Sequence, residues 1–397
     1  MTANAHTELK IFVVVGEESG DQLGASLMNG LSALRGKNVS FFGIGGGRMA
    51  ELGLTSLFPL SDIAVMGLSA VLERLPTIIR RVYQTVDAVI EANPDVLIII
   101  DSPDFTHSVA KRVRKRAPNI PIVDYVSPSV WAWRSGRAKK MARYVDHLLA
   151  ILPFEPEVHQ RLGGPSCSYV GHPLTQKFSD LRPVDNNERR DLCDAHKPVL
   201  LMLPGSRTSE IERLLDPFQQ TLEALVTVNP ELEVIIPAVP HLSKRIEEKT
   251  ASWSIPVEVV VGENQKFAAF RRAHAALVAS GTASLELALS GVPMVVAYKV
   301  DWFYRQLHAL HKIIPIGHID SMVLPNIILG KNVVPEFLND AVQPGEMASV
   351  LEKLLTSGPE RQVQLDSFAL LEDIMRPASG KAPGELAAEI TLQIIGK

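Results

Sequence analysis

The segments best able to do chemistry in this 397-residue chain are strand-to-helix turns, and two of them lie in its second half. LLMLPGSRTSEIERLL (Leu200–Leu215) reads as a strand, a tight turn at Gly205 and a helix capped by Ser206 or Thr208. A helix N-terminus offers free N–H groups and the positive end of the helix dipole. Arg207 adds a planar fork that fits a diphosphate. Glu210 is counted among the substrate contacts of this turn, although it and Glu212 also suit the first turn of any helix. Further on, ALVASGTASLELALSGVPMVVAY (Ala276–Tyr298) repeats the pattern. Ser280, Gly281 and Thr282 offer backbone and hydroxyl donors there, and Glu286, one helical turn later, is placed to accept ribose hydroxyls. Two such turns in one sheet would hold one nucleotide diphosphate, a stronger signal than either turn by itself.

The first half carries a different set. GEESGDQLGA (Gly16–Ala25) opens a helix, with Ser19 as a plausible N-cap and Gln22 three residues on. Glu17, Glu18 and Asp21 would repel phosphate, so Gly16, Glu17 and Ser19 suit sugar hydroxyls better. After the apolar run Val96–Ile100 comes DSPDF, where Asp101 and Asp104 are candidate general bases for deprotonating an attacking hydroxyl. The plain alternative is a loop closed by Asp101 and shaped by Pro103. A DxxD spacing with no further ligand cluster argues against a divalent metal. In YVSPSVWAWRSGR (Tyr125–Arg137), Trp133 is counted as a surface on which a sugar could stack, although Trp131 and Trp133 could equally fill the space beneath a loop. GIGGGRM (Gly43–Met49) lacks the spacing of a dinucleotide fingerprint and reads as a tight loop, which sets a dehydrogenase aside.

These turns need strands to carry them. Ile11–Val15, Val39–Gly43, Val96–Ile100 and Ile120–Tyr125 are short apolar runs in the first half. Val199–Leu203, Glu233–Pro237, Val257–Val261, Ala276–Ala279 and Met294–Tyr298 follow in the second, all alternating with helical stretches. Continuous apolar strands are buried on both faces, which predicts parallel sheets between helices. The expectation is an α/β protein of two doubly wound, Rossmann-like domains facing a central cleft. Lys177–Pro198, polar and proline-containing, reads as the linker. The boundaries expected are 1–176 for the first domain, 177–366 for a second that binds the nucleotide diphosphate, and 367–397 for a C-terminal helix packing back on the first.

With 46% hydrophobic and 21% charged residues the chain has the composition of a globular protein. Two cysteines without metal spacing suggest a reducing compartment. The N-terminus has no signal-peptide layout, and no apolar run approaches the ~20 residues that span a bilayer. A cytoplasmic protein is expected, with any membrane contact peripheral. Net charge is −4, yet Phe105–Tyr144 holds ten Lys/Arg against the single acid Asp124. Half of these suit an ordinary solvated helix face; the excess favours phosphate or anionic lipid, and without further aromatic interleaving not nucleic acid. Ile63–Ile90 has helical apolar spacing interrupted by Arg74, Arg80 and Arg81. It is either ordinary core or an amphipathic element resting on a membrane. Trp302–Ile316 has the same character.

Taken in order, GEESGD, VMG (Val65–Gly67), DSPDF, YVSPSVWAWR, LPFE (Leu152–Glu155), VGHPL, LPGSR, ASGTASLE and LPN (Leu324–Asn326) closely resemble the lipid-A-disaccharide synthase family over residues 11–330. YVSPSVWAWR is highly specific, whereas LPGSR and SGTASLE occur more widely among UDP-sugar enzymes. The resemblance implies a GT-B fold with the nucleotide on the C-terminal domain. It implies transfer of 2,3-diacylglucosamine from UDP-2,3-diacylglucosamine to 2,3-diacylglucosamine 1-phosphate (lipid X), giving a β-1,6 disaccharide and UDP. The reaction inverts, with no metal, cofactor or covalent intermediate. Arg207 and Glu286 match family residues near UDP, Asp104 matches the favoured base, and Asp95 and Asn326 match an acid and an asparagine that the pattern keeps. Glu18 and Gly45–Gly47 depart from it. Peripheral association with the inner face of the cytoplasmic membrane and a homodimer complete the expectations. The rival readings are an epimerase or GT-B enzyme acting on soluble UDP-aminosugars, and a non-catalytic sugar-nucleotide binder.

Overall fold

The computed structural model describes residues 8–36, 38–64, 68–132, 134–185, 188–189, 197–299 and 321–397, with side chains in the helix that begins at Leu68 described from Arg74 onward. The chain divides into two compact units. One runs to Pro173 and takes in Met375–Lys397; the other spans Leu174–Ile374.

The first unit is built on strands β1 (Leu9–Val15), β2 (Val39–Ile44), β3 (Val96–Ile100), β4 (Ile122–Tyr125), β5 (His147–Ala150) and β6 (Ser166–Tyr169). They form one parallel sheet in the order β2-β1-β3-β4-β5-β6. Because successive side chains of a strand alternate faces, the apolar runs serve two cores at once. Ile11, Val13 and Val15 with Ile98 and Ile100 pack under the helix Glu18–Arg35 and the last helix, Pro383–Ile394. Phe12, Val14, Leu97 and Ile99 face Val82, Val86 and Val89 of helix Leu68–Ala92 and Val109 and Val113 of helix Pro103–Arg116.

The second unit repeats the plan with β7 (Val199–Leu203), β8 (Glu233–Ala238), β9 (Val257–Val261), β10 (Ala275–Ala279), β11 (Met294–Tyr298) and β12 (Glu336–Leu338). Its order is β12-β11-β10-β7-β8-β9, again parallel throughout. Both sheets are doubly wound: the chain leaves β1 to one side and returns to β3 on the other, and likewise leaves β7 and returns to β10. The crevices that open between the outgoing connections at these reversals are where ligands of such sheets sit.

Three strands escape the sequence reading. His147–Ala150 and Glu336–Leu338 are too short to stand out from their surroundings, and Ser166–Tyr169 is a partly exposed edge with little apolar signal. The periodic segment Ile63–Ile90 splits in two. Val82 and Val86 are core, whereas Leu75, Ile79 and Tyr83, four residues apart, are exposed. Val65–Gly67 and Trp302–Ile316 lie outside the described residues. Among the described residues no helix is long and apolar enough to cross a membrane.

The helix Pro383–Ile394 crosses Glu18–Arg35 at backbone contact. A Cβ on Gly30 would lie 2.6 Å from the carbonyl oxygen of Gly384, and one on Gly384 would lie 2.5 Å from that of Ser26. Helix propensity alone favours Gly30→Ala by up to ~1 kcal/mol. This contact reverses the sign, so Gly30→Ala is expected to destabilise by about 1–3 kcal/mol in urea unfolding. Gly47→Ala, where a Cβ meets nothing within 4 Å, is the neutral comparison.

Candidate active site

At the reversal of the second sheet, the carboxyl ends of β7, β8, β9 and β10 surround a cavity of about 470 Å³. Ser206, Arg207, Glu210, Ser280, Gly281, Thr282 and Glu286 all line it. The two turns differ in what they leave open. Gly205 has φ +126°, and a Cβ there would sit 2.5 Å from the Glu210 side chain, so the turn closes tightly over that carboxylate. Glu210 accepts the N–H groups of Ser206 (2.9 Å) and Arg207 (3.2 Å) and one guanidinium N–H of Arg207 (2.9 Å). The N-cap of helix Thr208–Val228 is therefore Arg207 rather than Ser206 or Thr208. Glu210 also closes the helix's own cap: a buried carboxylate three residues on reaches donors at the start of the helix. The Arg207 side chain remains 64% exposed at the cavity.

The second turn is open. Gly281, at φ +140°, has nothing within 4 Å of a would-be Cβ, and it precedes helix Thr282–Leu289. Ser284 takes the Gly281 carbonyl through both its N–H and its hydroxyl. The N–H groups of Thr282 and Ala283 have no acceptor among the described residues. Ser280 donates its hydroxyl to the Met322 carbonyl at 3.2 Å. Here the dipole end and the unpaired donors do face the cavity. Glu286 pairs with Lys266, a cavity residue that the sequence reading did not single out.

At the reversal of the first sheet, Val15 and Ile100 are register partners, so GEES and DSPD emerge side by side. A Cβ on Gly16 would lie 2.1 Å from Ser102 Cβ, which is why glycine stands there. Glu17 accepts the Ser102 hydroxyl (2.9 Å), and Ser19 donates to Asp101 (2.9 Å). Ser19 is thus not the N-cap, which is Glu17; its hydroxyl points across to the neighbouring turn instead. Asp101 and Ser102 both have positive φ, 56° and 42°, a backbone strain of about 1–3 kcal/mol each. The Asp101 carboxylate offsets part of it by accepting the Ser102 N–H at 2.8 Å.

The three aspartates now separate. Asp101 is committed to Ser19 and Ser102. Asp104, in the first turn of helix Pro103–Arg116, has a side chain 94% exposed and, among the described residues, pairs with Arg137 at 3.0 Å. Asp95 is at the wrong end: it precedes β3, roughly 17 Å along the strand from the turn that follows it. It accepts the Lys10 N–H (2.8 Å) and pairs with Lys397 (2.7 Å). Burial pushes its carboxyl up, but the hydrogen bonds from Lys397 and Lys10 outweigh this and hold it below the usual range. Asp95 thus ties the start of β1 to the C-terminal Lys397. Asn326 is buried and spends its amide on the Val333 and Val334 N–H groups, the Val334 carbonyl and Glu336, fixing the loop before β12. Trp133 lies outside the described residues. Gly43–Met49, read as a tight loop, is instead the end of β2, a turn at Gly45–Gly46 and the start of helix Gly47–Glu51, held by the buried Asp21, which accepts the N–H groups of Gly46, Arg48 and Met49.

Beneath Asp104 the sequence reading missed a buried network. His107 contacts Asp124 at 3.0 Å and the Tyr144 hydroxyl at 3.0 Å, tying the helix of Asp104 to the sheet and to the segment after the helix of Arg137. Burial pushes the Asp124 carboxyl up against the opposing pull of His107. Next to it, under the loop that carries Trp131, burial pushes Glu155 of LPFE up to about 8 and His159 down to about 4. His107, one helical turn from Asp104, was the only part of this network that spacing could have flagged.

The model of the lipid-A-disaccharide synthetase family matches residues 11–390. This chain belongs to that family. It is 50% identical over 395 residues to the lipid-A-disaccharide synthase of Nitrobacter winogradskyi, covering 98% of this chain and 97% of that protein. To the one from Rhodospirillum centenum it is 41% identical, covering 98% and 95%. Among solved structures, UDP-GlcNAc 2-epimerase from Neisseria meningitidis bound to UDP-GlcNAc superposes with TM-score 0.62 at 11% identity, covering 98% and 100% of the two chains. The glycotransferase of kitacinnamycin superposes with TM-score 0.60 at 14% identity, covering 98% and 99%. At such identities the likeness is one of fold, two Rossmann-like domains of the GT-B class.

Asp95→Asn is expected to leave turnover unchanged and to lower stability by about 0.5–1 kcal/mol near neutral pH. A depressed carboxylate stabilises above its unfolded value of 3.8, and the gain disappears as pH falls through the lower folded value. Urea unfolding of both proteins, near neutral pH and below about pH 3, together with an activity assay, checks this.

Proposed function

We propose that this chain acts as a lipid-A-disaccharide synthase. It transfers 2,3-diacylglucosamine from UDP to the 6-hydroxyl of 2,3-diacylglucosamine 1-phosphate, with inversion. The observation that carries the reading is the open turn Gly281–Ala283 beside the exposed Arg207 in one cavity, in a chain whose relatives bear that name along their whole length. A leaving diphosphate gains charge as the glycosidic bond breaks. Fixed N–H donors and a guanidinium already aimed at that place stabilise it without reorganisation. In the first unit Asp104 is the aspartate with a free face, and it takes the proton of the attacking hydroxyl while Arg137 holds its other side. Ser19 and Glu17, with Gly16 letting the two turns close, contribute the polar surface on which the acceptor sugar rests.

The acylated nature of the substrates is supported by the exposed stripe Leu75, Ile79 and Tyr83. An exposed apolar stripe beside Arg80 and Arg112, the latter stacked 5.1 Å from the Tyr83 ring, suits acyl chains and an anionic lipid surface at the inner membrane. A cationic surrounding of Lys111, Lys139 and Lys140, none of which has a carboxylate partner among the described residues, suits the acceptor phosphate.

UDP release from UDP-2,3-diacylglucosamine in detergent micelles should require the sugar-phosphate acceptor. Conversion of unacylated UDP-N-acetylglucosamine in its place would overturn the assignment. Arg207→Ala is expected to lower kcat/KM by about 10²–10³-fold and Asp104→Asn to lower kcat by about 10²–10⁴-fold. Replacing Leu75 and Ile79 by Ser should release the protein from anionic vesicles in flotation while the fold, followed by circular dichroism, is kept; unchanged flotation would remove the membrane contact.

A further inference from the structure

Gly281, at φ +140°, has no described atom within 4 Å of a would-be Cβ, so packing does little to fix the backbone that presents the Thr282 and Ala283 N–H groups. Glycine also has the most conformational freedom to lose there, and hydrogen bonds on either side must supply the restraint. After the turn, Ser284 supplies it by taking the Gly281 carbonyl through both its N–H and its hydroxyl. Before the turn, the Ser280 hydroxyl donates to the Met322 carbonyl at 3.2 Å.

Met322 is in turn held from the edge of the sheet. Glu336 opens β12, two strands from β10, and is the register partner of Val296 on β11. One of its carboxylate oxygens accepts the Met322 N–H at 2.9 Å. The other accepts the Ser321 hydroxyl and, at 3.0 Å, the Asn326 amide. Ser321 and Asn326 are buried, which fixes the carboxylate itself. Both backbone polar groups of Met322 are thereby committed, the N–H to Glu336 and the carbonyl to Ser280. Glu336 is not among the residues that line the cavity, and it reaches the turn only through this relay of two hydrogen bonds. The relay also uses the one hydrogen of the Ser280 hydroxyl, so the donors left to an anion at this turn are backbone N–H groups. Donors of that kind stabilise charge best when they are already fixed and need not reorganise.

We propose that Glu336 is a positioning residue for the turn Ser280–Ala283. Through Met322 it holds the Ser280 hydroxyl, and with it the backbone donors that receive the diphosphate of a bound nucleotide. Its influence falls on the phosphates and not on the nucleoside. The proposal rests on the nucleotide reading of the cavity given above.

The test is ligand-observed NMR titration of the full chain with UDP and with uridine, which lacks the phosphates. The wild type should bind UDP about tenfold or more tightly than uridine, through charge-assisted contacts to the phosphates. Glu336→Gln keeps the shape of the side chain but turns an acceptor into a donor facing the Met322 N–H or the Asn326 amide. It should weaken UDP by about three- to tenfold and leave uridine within about twofold of the wild type. Ser280→Ala should do the same, and adding Glu336→Gln to it should change UDP affinity by less than about twofold, since both act on one relay. If Glu336→Gln leaves UDP unchanged, weakens uridine as much as UDP, or adds its full effect to that of Ser280→Ala, the proposal falls while the nucleotide cavity stands. Ser280 is only partly buried, so Ser280→Ala tests the relay even where Glu336→Gln does not fold; unchanged UDP binding there overturns the proposal as well. A wild type that binds neither ligand, or binds UDP no more tightly than uridine, overturns the nucleotide diphosphate reading itself.

Discussion

In a parallel sheet every strand delivers its carboxyl end to the same edge, and the structure's chemistry depends on that constraint. Hydrogen bonding between parallel strands forces each connection to travel back across a face, as a helix, before the next strand can begin. The only place where two connections part company is the strand from which the chain winds both ways. In the two sheets these strands are β1 and β7. Gly16 and Asp101 meet at one reversal, Gly205 and Gly281 at the other, although 85 residues separate the first pair and 76 the second. None of these contacts is local in sequence, yet all follow from winding direction.

Once the turns are assembled, charge compensation governs what each can do. The lining of the cavity at the second reversal contains three carboxylates, and each already has a cation: Glu210 with Arg207, Glu286 with Lys266, and Glu263 with Lys177. A site meant for a diphosphate can tolerate acids in its wall only if they are neutralised from behind, since bare carboxylates there would repel the ligand. Arg207 keeps a largely exposed guanidinium, whereas Lys266 is spent on its partner. The two cations are thus not equivalent, and the donors left open at the cavity are mainly those of the helix N-terminus at Thr282 and Ala283.

The first unit solves the opposite problem, keeping an acid exposed and fixed at once. Asp104 has little burial to hold it, so its position is inherited from the helix it begins. That helix is fastened by the strained Asp101–Ser102 turn at its start and by the buried His107–Asp124–Tyr144 contacts one turn later. Strain at a turn persists only where surrounding contacts over-determine it. Here the Ser19, Glu17 and Ser102 hydrogen bonds supply that support.

The sequence by itself determined the layer plan and the location of the turns. Runs such as Val96–Ile100 and Val199–Leu203 have no polar face, and a strand without one must be buried on both sides. Glycines at 205 and 281 mark the turns because their backbone conformations exclude a side chain at low cost. What the sequence left open was which polar groups remain free after folding. Glu210 and Ser19 read as substrate contacts from their turns, and Asp95 and Asn326 only through the family resemblance; in the structure each is hydrogen-bonded to a neighbour. Short-range spacing identifies a group able to bind, but its availability depends on every other donor and acceptor within about 3 Å, most of which are distant in the chain. For the same reason Lys266 carried no local signal. Its partner lies 20 residues away on a different helix, and only the crossover from β9 to β10 brings the two together.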